Sequence, residues 1–208
     1  MSLYIPCGIR CHTKDLINKK YGIKQQTLPF DNGFFTPESI KKILEAEHIN
    51  INLENTIPCI KTERYKELKK TGIKFVESSY DKINRHIQKN GYDNSYLDST
   101  KGYYTLCKEY GCVFAHYNWH PLSKKSVTDP QENLLIIEEI LNRRKDRLID
   151  MIKKSNTLHI CWHKADIEFI KINTNKYNIC ESDVKKQLIK IFSKYNKKII
   201  FHKFNNKL

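Results

Sequence analysis

No apolar run in the chain is long enough to cross a bilayer; stretches such as Leu134-Leu135-Ile136-Ile137 fall far short of the roughly 20 residues a membrane helix needs. The opening residues lack the charged start, apolar run and small-residue cleavage site of a secretory signal. With seven cysteines, an odd number, this points to reduced thiols in a cytoplasmic compartment and to no membrane partner. No Gly/Ser-rich or Pro-rich tract supplies a linker and no period of 20–50 residues repeats, so one domain over residues 1–208 is expected. No G-x-G-x-x-G or P-loop pattern is present, Gly8 standing alone, which counts against a nucleotide site, and no cofactor is expected. RNP, zinc-finger and homeodomain patterns are also missing.

Acidic residues are comparatively scarce: 37 Lys and Arg face 23 Asp and Glu, for a formal charge of +14. A basic chain attracts nucleic acid and other anions. Here the basic residues are scattered, Lys far outnumbers Arg, and Ile and Asn are abundant, as an AT-rich coding sequence of bacterial, protist or large-virus origin would produce. The charge therefore reads as a solvated surface, and nucleic acid is not the favoured partner. A hydrophobic fraction of 39%, with 11% aromatics and a mean hydropathy of −0.62, describes a folded chain with a heavily charged exterior.

Tyr4-Ile5-Pro6-Cys7 opens as a strand, Gly8 turns it, and Leu16, Ile17 and Tyr21 recur at helical spacing up to a capping Gly22. Residues 27–35 read as a loop with an Asp31-Asn32-Gly33 turn. Thr36-Pro37-Glu38 starts a helix that runs to about residue 46. Ile49, Ile51 and Leu53 alternate, and Ile57-Pro58-Cys59-Ile60 fits an edge strand or an irregular segment. A short strand at Lys74-Phe75-Val76-Glu77 and a helix around Tyr80 to Gln88 follow. Gly111 to Tyr117 reads as a buried strand with His116 at its carboxyl end. Asp129-Pro130-Gln131-Glu132 starts a helix expected to reach Lys154; Leu158 to Trp162 is a strand, Ser182 starts a last helix, and Ile199 to Phe201 is a closing strand. This alternation predicts an α/β fold: a mostly parallel sheet with helices on both faces, in Rossmann-like layering. Sites in such sheets form beyond the carboxyl ends of strands, where Cys11 and His116 are expected.

A cysteine on the first turn of a helix is a favourable place for a thiolate, because unpartnered N–H groups and the helix dipole stabilise the negative charge. Cys11 is therefore the candidate nucleophile, His116 the candidate base, and Asp31, Asn118 and Asp129 are candidates to orient the imidazole. Cys107, Cys112, His116 and His120 have the residue types of a zinc site, but at compressed spacing and without the long spacer of a zinc finger. Cys7 and Cys11 with His12 are a weaker metal pattern. No metal is expected. His163 and Asp166, after the Cys161-Trp162 strand end, are placed at the edge that carries Cys11.

Gly8-Ile9-Arg10-Cys11, Leu28-Pro29-Phe30-Asp31 and Phe114-Ala115-His116, ahead of a helix rich in Leu, Ile and Arg, together resemble the papain-like cysteine peptidase family of domain of unknown function 1796 (DUF1796). The order and separation of the pieces match over most of the chain. The resemblance implies that Cys11 is the family's motif cysteine, His116 its motif histidine and Asp31 the acid of its Pro-Phe-Asp motif. The chain departs from the pattern at Pro6-Cys7 (Ser-Leu in the family), at Asn32 (tryptophan) and at Tyr117 (a second histidine). A papain-type fold places its cysteine on a long helix against a separate barrel-like sheet, whereas the periodicity here predicts strand-helix alternation. Two functions follow. One is a thiol-dependent, peptidase-like hydrolase or transferase acting on a peptide or other acyl compound. The other is a non-catalytic α/β module whose basic cleft holds a nucleotide, a sugar phosphate or nucleic acid.

Overall fold

A computed structural model describes residues 1–7, 12–31, 33–52, 54–59, 104–107, 109–114, 130–163 and 181–204. Among these, β1 (Ser2–Pro6), β6 (Thr157–His163) and β7 (Lys198–Phe204) form an all-parallel sheet with β6 in the middle. The register runs Ser2↔Thr157 to Pro6↔Cys161 on one side and Thr157↔Lys198 to His163↔Phe204 on the other.

Side chains of a strand alternate between faces, and the two faces of this sheet carry different chemistry. On one face Leu3, Ile5, Cys7, Leu158, Ile160 and Trp162 join the main buried cluster. Helix α3 (Pro130–Lys154) adds Leu134, Ile137, Leu141, Leu148 and Ile152 to it, and α4 (Glu181–Ser193) adds Val184, Leu188 and Phe192. On the other face Cys161 and Phe204 pack with Ile17 of α1 (His12–Tyr21), with Tyr4, Leu16 and Tyr21 around them. Helices thus cover both faces, as the α/β reading requires. Gly22, at φ +65°, ends α1 by donating its N–H to the Asn18 carbonyl at 2.9 Å, the left-handed cap that glycine adopts without strain.

A second, antiparallel sheet is an addition to the expected layout. It is built from β2 (Gly33–Phe34), β3 (Thr56–Cys59), β4 (Tyr104–Cys107) and β5 (Cys112–Phe114), in the order β2-β5-β4-β3. The run at 111–117 was expected to be a parallel strand; its described part instead closes a hairpin on β4, with Gly111 at φ +63° in the turn. A short apolar run does not say which direction its partner takes. Pro58, which has no N–H to give a ladder, lies in the edge strand β3, as its chemistry dictates. Cys107, Tyr110 and Cys112 belong to the main cluster, so one continuous core joins the hairpin to the parallel sheet. The expected strand at 74–77 and helix near 80–88 lie outside the described residues.

Helix α2 (Pro37–Glu45) begins as its sequence dictates: Thr36 Oγ1 accepts from Ser39 N–H at 3.0 Å, and Pro37 occupies the first turn. It also holds the hairpin tip, because Ser39 Oγ donates to the Gly111 carbonyl at 2.8 Å. Residues 46–51 then run along α3 without forming a strand. Lys145 Nζ donates to the Ala46 and Glu47 carbonyls at 3.0 and 2.7 Å. Asn142 accepts from Ile49 N–H and donates to the Ile49 carbonyl, both at 2.8 Å, and Glu138 accepts from Ile51 N–H at 2.7 Å. The alternation of Ile49 and Ile51 is therefore satisfied by one polar stripe of a helix in place of a strand partner. Asn142→Ala leaves both polar groups of Ile49 without that partner and should cost on the order of 1–3 kcal/mol in chemical denaturation; an unchanged midpoint would mean that solvent replaces the amide.

Candidate active site

The turn Leu28-Pro29-Phe30-Asp31 is closed twice. Asp31 N–H donates to the Leu28 carbonyl at 3.3 Å, and Leu28 N–H donates to Asp31 Oδ2 at 2.8 Å. Phe30, fully buried, anchors the turn by meeting Phe35 edge-on with ring centroids 5.3 Å apart. The carboxylate of Asp31 is only 1% exposed. Lys14, on the first turn of α1, reaches it from the side: its Nζ lies 2.9 Å from Asp31 Oδ2 and 3.2 Å from Thr27 Oγ1. Arg147 of α3 donates to the Thr27 carbonyl at 2.9 Å. Burial pushes the Asp31 carboxyl above its ordinary value, while the Leu28 N–H, Lys14 and Arg144 pull it down without cancelling that cost.

Asp31 Oδ1 is buried and has no hydrogen-bond partner among the described residues; the same holds for Thr13 Oγ1 and Asn18 Oδ1 of α1. Buried polar atoms are nearly always partnered, so a carboxylate oxygen left over beside a built ion pair marks a place where a donor belongs. Lys14 went unremarked in the sequence because a lysine in a lysine-rich chain carries no signal of its own. Its offset of three residues from Cys11 is the only hint.

Of the sequence-predicted site residues, Asp31 is placed as just described. Cys11, His116, Asn118, Asp129, His120 and Asp166 lie outside the described residues; His12, the residue after Cys11, opens α1. His163 is buried at the carboxyl end of β6. Cys7 is buried in the main core and His12 is exposed, while Cys11 lies outside the described residues. Cys107 and Cys112 are free thiols directly opposite each other in the β4–β5 ladder. No group of three or more metal-ligating side chains occurs among the described residues.

A second polar cluster, unforeseen in the sequence, lies under the end of α1. Tyr21 Oη is 3.0 Å from His202 Nδ1, and His202 Nε2 is 2.7 Å from His159 Nδ1. Tyr4 stacks on His159 at 4.1 Å between centroids. One tautomer set has Tyr21 donating to His202 and His202 donating to His159; the other reverses both bonds. The only sequence signal is the alternation His159-Cys161-His163 within an apolar run. Burial holds both imidazoles below the ordinary value; Lys198 adds to this for His159, and His159 and Lys20 add to it for His202. A base whose folded value is depressed contributes stability that is complete above the unfolded value of ~6.5 and is lost as pH falls through the window below it. The thermal midpoint should therefore drop between about pH 7 and pH 5. A His159→Gln/His202→Gln double variant should show a shallower fall, and an equal slope in both proteins would exclude the pair as its source.

Cys161, buried on the same face, has its thiol pushed up to about 12, burial outweighing the opposing pull of Lys20, so it is inert as a nucleophile. Comparison of the chain with known protein families, with curated proteins and with solved structures finds no match.

Proposed function

We propose that the chain is a thiol-dependent, peptidase-like hydrolase or transferase acting on a peptide or other acyl compound. Cys11 Sγ attacks the acyl carbonyl while the His116 imidazole takes the thiol proton. The imidazolium returns that proton to the leaving group as the carbonyl re-forms, and water or a second nucleophile then releases the acyl group. N–H groups at the start of α1 serve the oxyanion. Asp31 Oδ1 accepts the remaining imidazole N–H and holds the ring in the productive tautomer.

The observation that carries this reading is the Asp31 carboxylate. It is buried, fixed through Oδ2 by Leu28 and Lys14, and left with Oδ1 unpartnered among the described residues. Burial holds its carboxyl above the ordinary value, a perturbation of the kind that functional sites show. One further point agrees: Lys14 ties the Asp31 turn to the first turn of α1, directly after Cys11 in the chain.

A peptidyl chloromethyl ketone followed by peptide mapping tests the proposal. Alkylation should concentrate on Cys11 among the seven cysteines, vanish in Cys11→Ala and slow markedly in His116→Gln. Alkylation spread evenly over the thiols, together with anionic-ligand binding that survives Cys11→Ala, would replace this reading with the non-catalytic module.

A further inference from the structure

The β4–β5 hairpin sets two nucleophilic side chains against each other, and the mechanism above uses neither. Cys107 and Cys112 are the closing pair of the ladder, both unoxidised and both buried. Residues directly opposite in an antiparallel ladder have Cα atoms about 4.5–5.5 Å apart, inside the roughly 4.4–6.8 Å that a disulfide spans. The backbone separation of a directly opposed pair therefore falls within the span of a bridge.

The two thiols are not equivalent. The Cys112 thiol and the Tyr110 and Glu109 N–H groups beside the Cys107 sulfur hold it below the ordinary thiol value, against burial and the Glu109 charge. Cys112 is held well above that value by burial and by the neighbouring Cys107. The attack is accordingly assigned to Cys107, the sulfur that these donors face, and the second step to Cys112. Glu109 and Gly111, at the hairpin tip, are exposed, which puts the pair within two residues of solvent along the chain.

We propose that Cys107 and Cys112 form a hydroperoxide-oxidisable dithiol that closes to a disulfide across the β4–β5 hairpin. The Cys107 sulfur attacks one oxygen of hydrogen peroxide; the O–O bond breaks and the departing oxygen leaves as water, giving a sulfenic acid at Cys107. The Cys112 sulfur then attacks the Cys107 sulfur. The S–S bond forms, the S–O bond breaks, and the hydroxyl leaves as water with the proton that Cys112 held. Two thiols and one peroxide give one disulfide and two waters, each sulfur being oxidised by one electron and the peroxide reduced by two. Two equivalents of a low-molecular-weight thiol reopen the bridge by exchange.

The test is peptide mapping of the full chain after brief exposure to stoichiometric hydrogen peroxide. A cross-linked peptide joining Cys107 to Cys112, lighter by two hydrogens and restored by a monothiol reductant, is the expected product. Cys112→Ser should stop at a sulfenic acid on Cys107, trapped by a 1,3-dione, and Cys107→Ser should leave Cys112 a thiol. Should either variant fail to fold, the wild-type map decides: both thiols intact, or bridges to other cysteines with none between these two, would overturn the proposal.

Discussion

An Asp31→Asn variant should fold as the parent chain does and transfer acyl groups about 10³–10⁴-fold more slowly, with KM little changed. The amide has the size of the carboxylate, and its oxygen can stay at the Oδ2 position to meet Leu28 N–H and Lys14. Its nitrogen then stands where Oδ1 stood. A donor faces the imidazole N–H, the ring loses its tautomer, and the base is wrong for the thiol while everything that binds substrate is intact. The substitution also leaves Lys14 without its counter-charge, so the thermal midpoint should fall, but less than in Lys14→Met, because the cation left over is 17% exposed and keeps some water. Turnover of an activated ester and a melting curve measure both halves. A rate within tenfold of the parent would make Asp31 a purely structural acid and return the orienting role to Asn118 or Asp129.

Lys14→Met should produce a different pattern, a large stability loss that depends on pH. The variant removes the cation 2.9 Å from a carboxylate that is 1% exposed. Breaking a buried pair from one side costs about 3–5 kcal/mol, because the remaining charge has lost its compensation; Lys14 is itself 17% exposed, so the lower end is expected. The folded-state value of Asp31 is already raised, and losing Lys14 raises it further. A raised carboxyl contributes stability that is complete below the unfolded value of ~4 and is lost as pH rises through the folded value. Parent and variant should therefore approach each other in acid and separate toward neutral pH. The Lys14→Met/Asp31→Asn double variant should recover most of the loss at neutral pH. Denaturant midpoints at two pH values decide it, and a deficit independent of pH would point to lost packing of the lysine stem.

What the sequence displays and what it hides follow from the range of the interactions involved. Thr36-Pro37 is a local start signal and begins α2 at Pro37, and the period set by Leu134, Ile137 and Leu141 runs through α3 to Lys154. The parallel strands appear where Leu158 to Trp162 and Ile199 to Phe201 announce them. Direction of pairing is another matter: the hairpin at Cys107–Cys112 depends on a chain reversal at Gly111, and the apolar run beyond it reads the same whichever way its neighbour points. Ile49 and Ile51 alternate as a strand does, yet their backbone partners are Asn142 and Glu138, some ninety residues away. The site divides in the same way. Asp31 is visible through the Pro-Phe-Asp motif, whereas Lys14 becomes meaningful only once its Nζ is seen against that carboxylate. The His159–His202 contact joins strands 43 residues apart and is set by sheet register alone.

The central claim is that Cys11 is a thiol activated by His116, and the pH dependence of its alkylation by iodoacetamide tests that claim most directly. A midpoint for Cys11 well below the free-thiol value of ~8.5, moving back toward that value in His116→Gln, is the predicted result. A midpoint near ~8.5 in the parent chain, unmoved by His116→Gln, would contradict it.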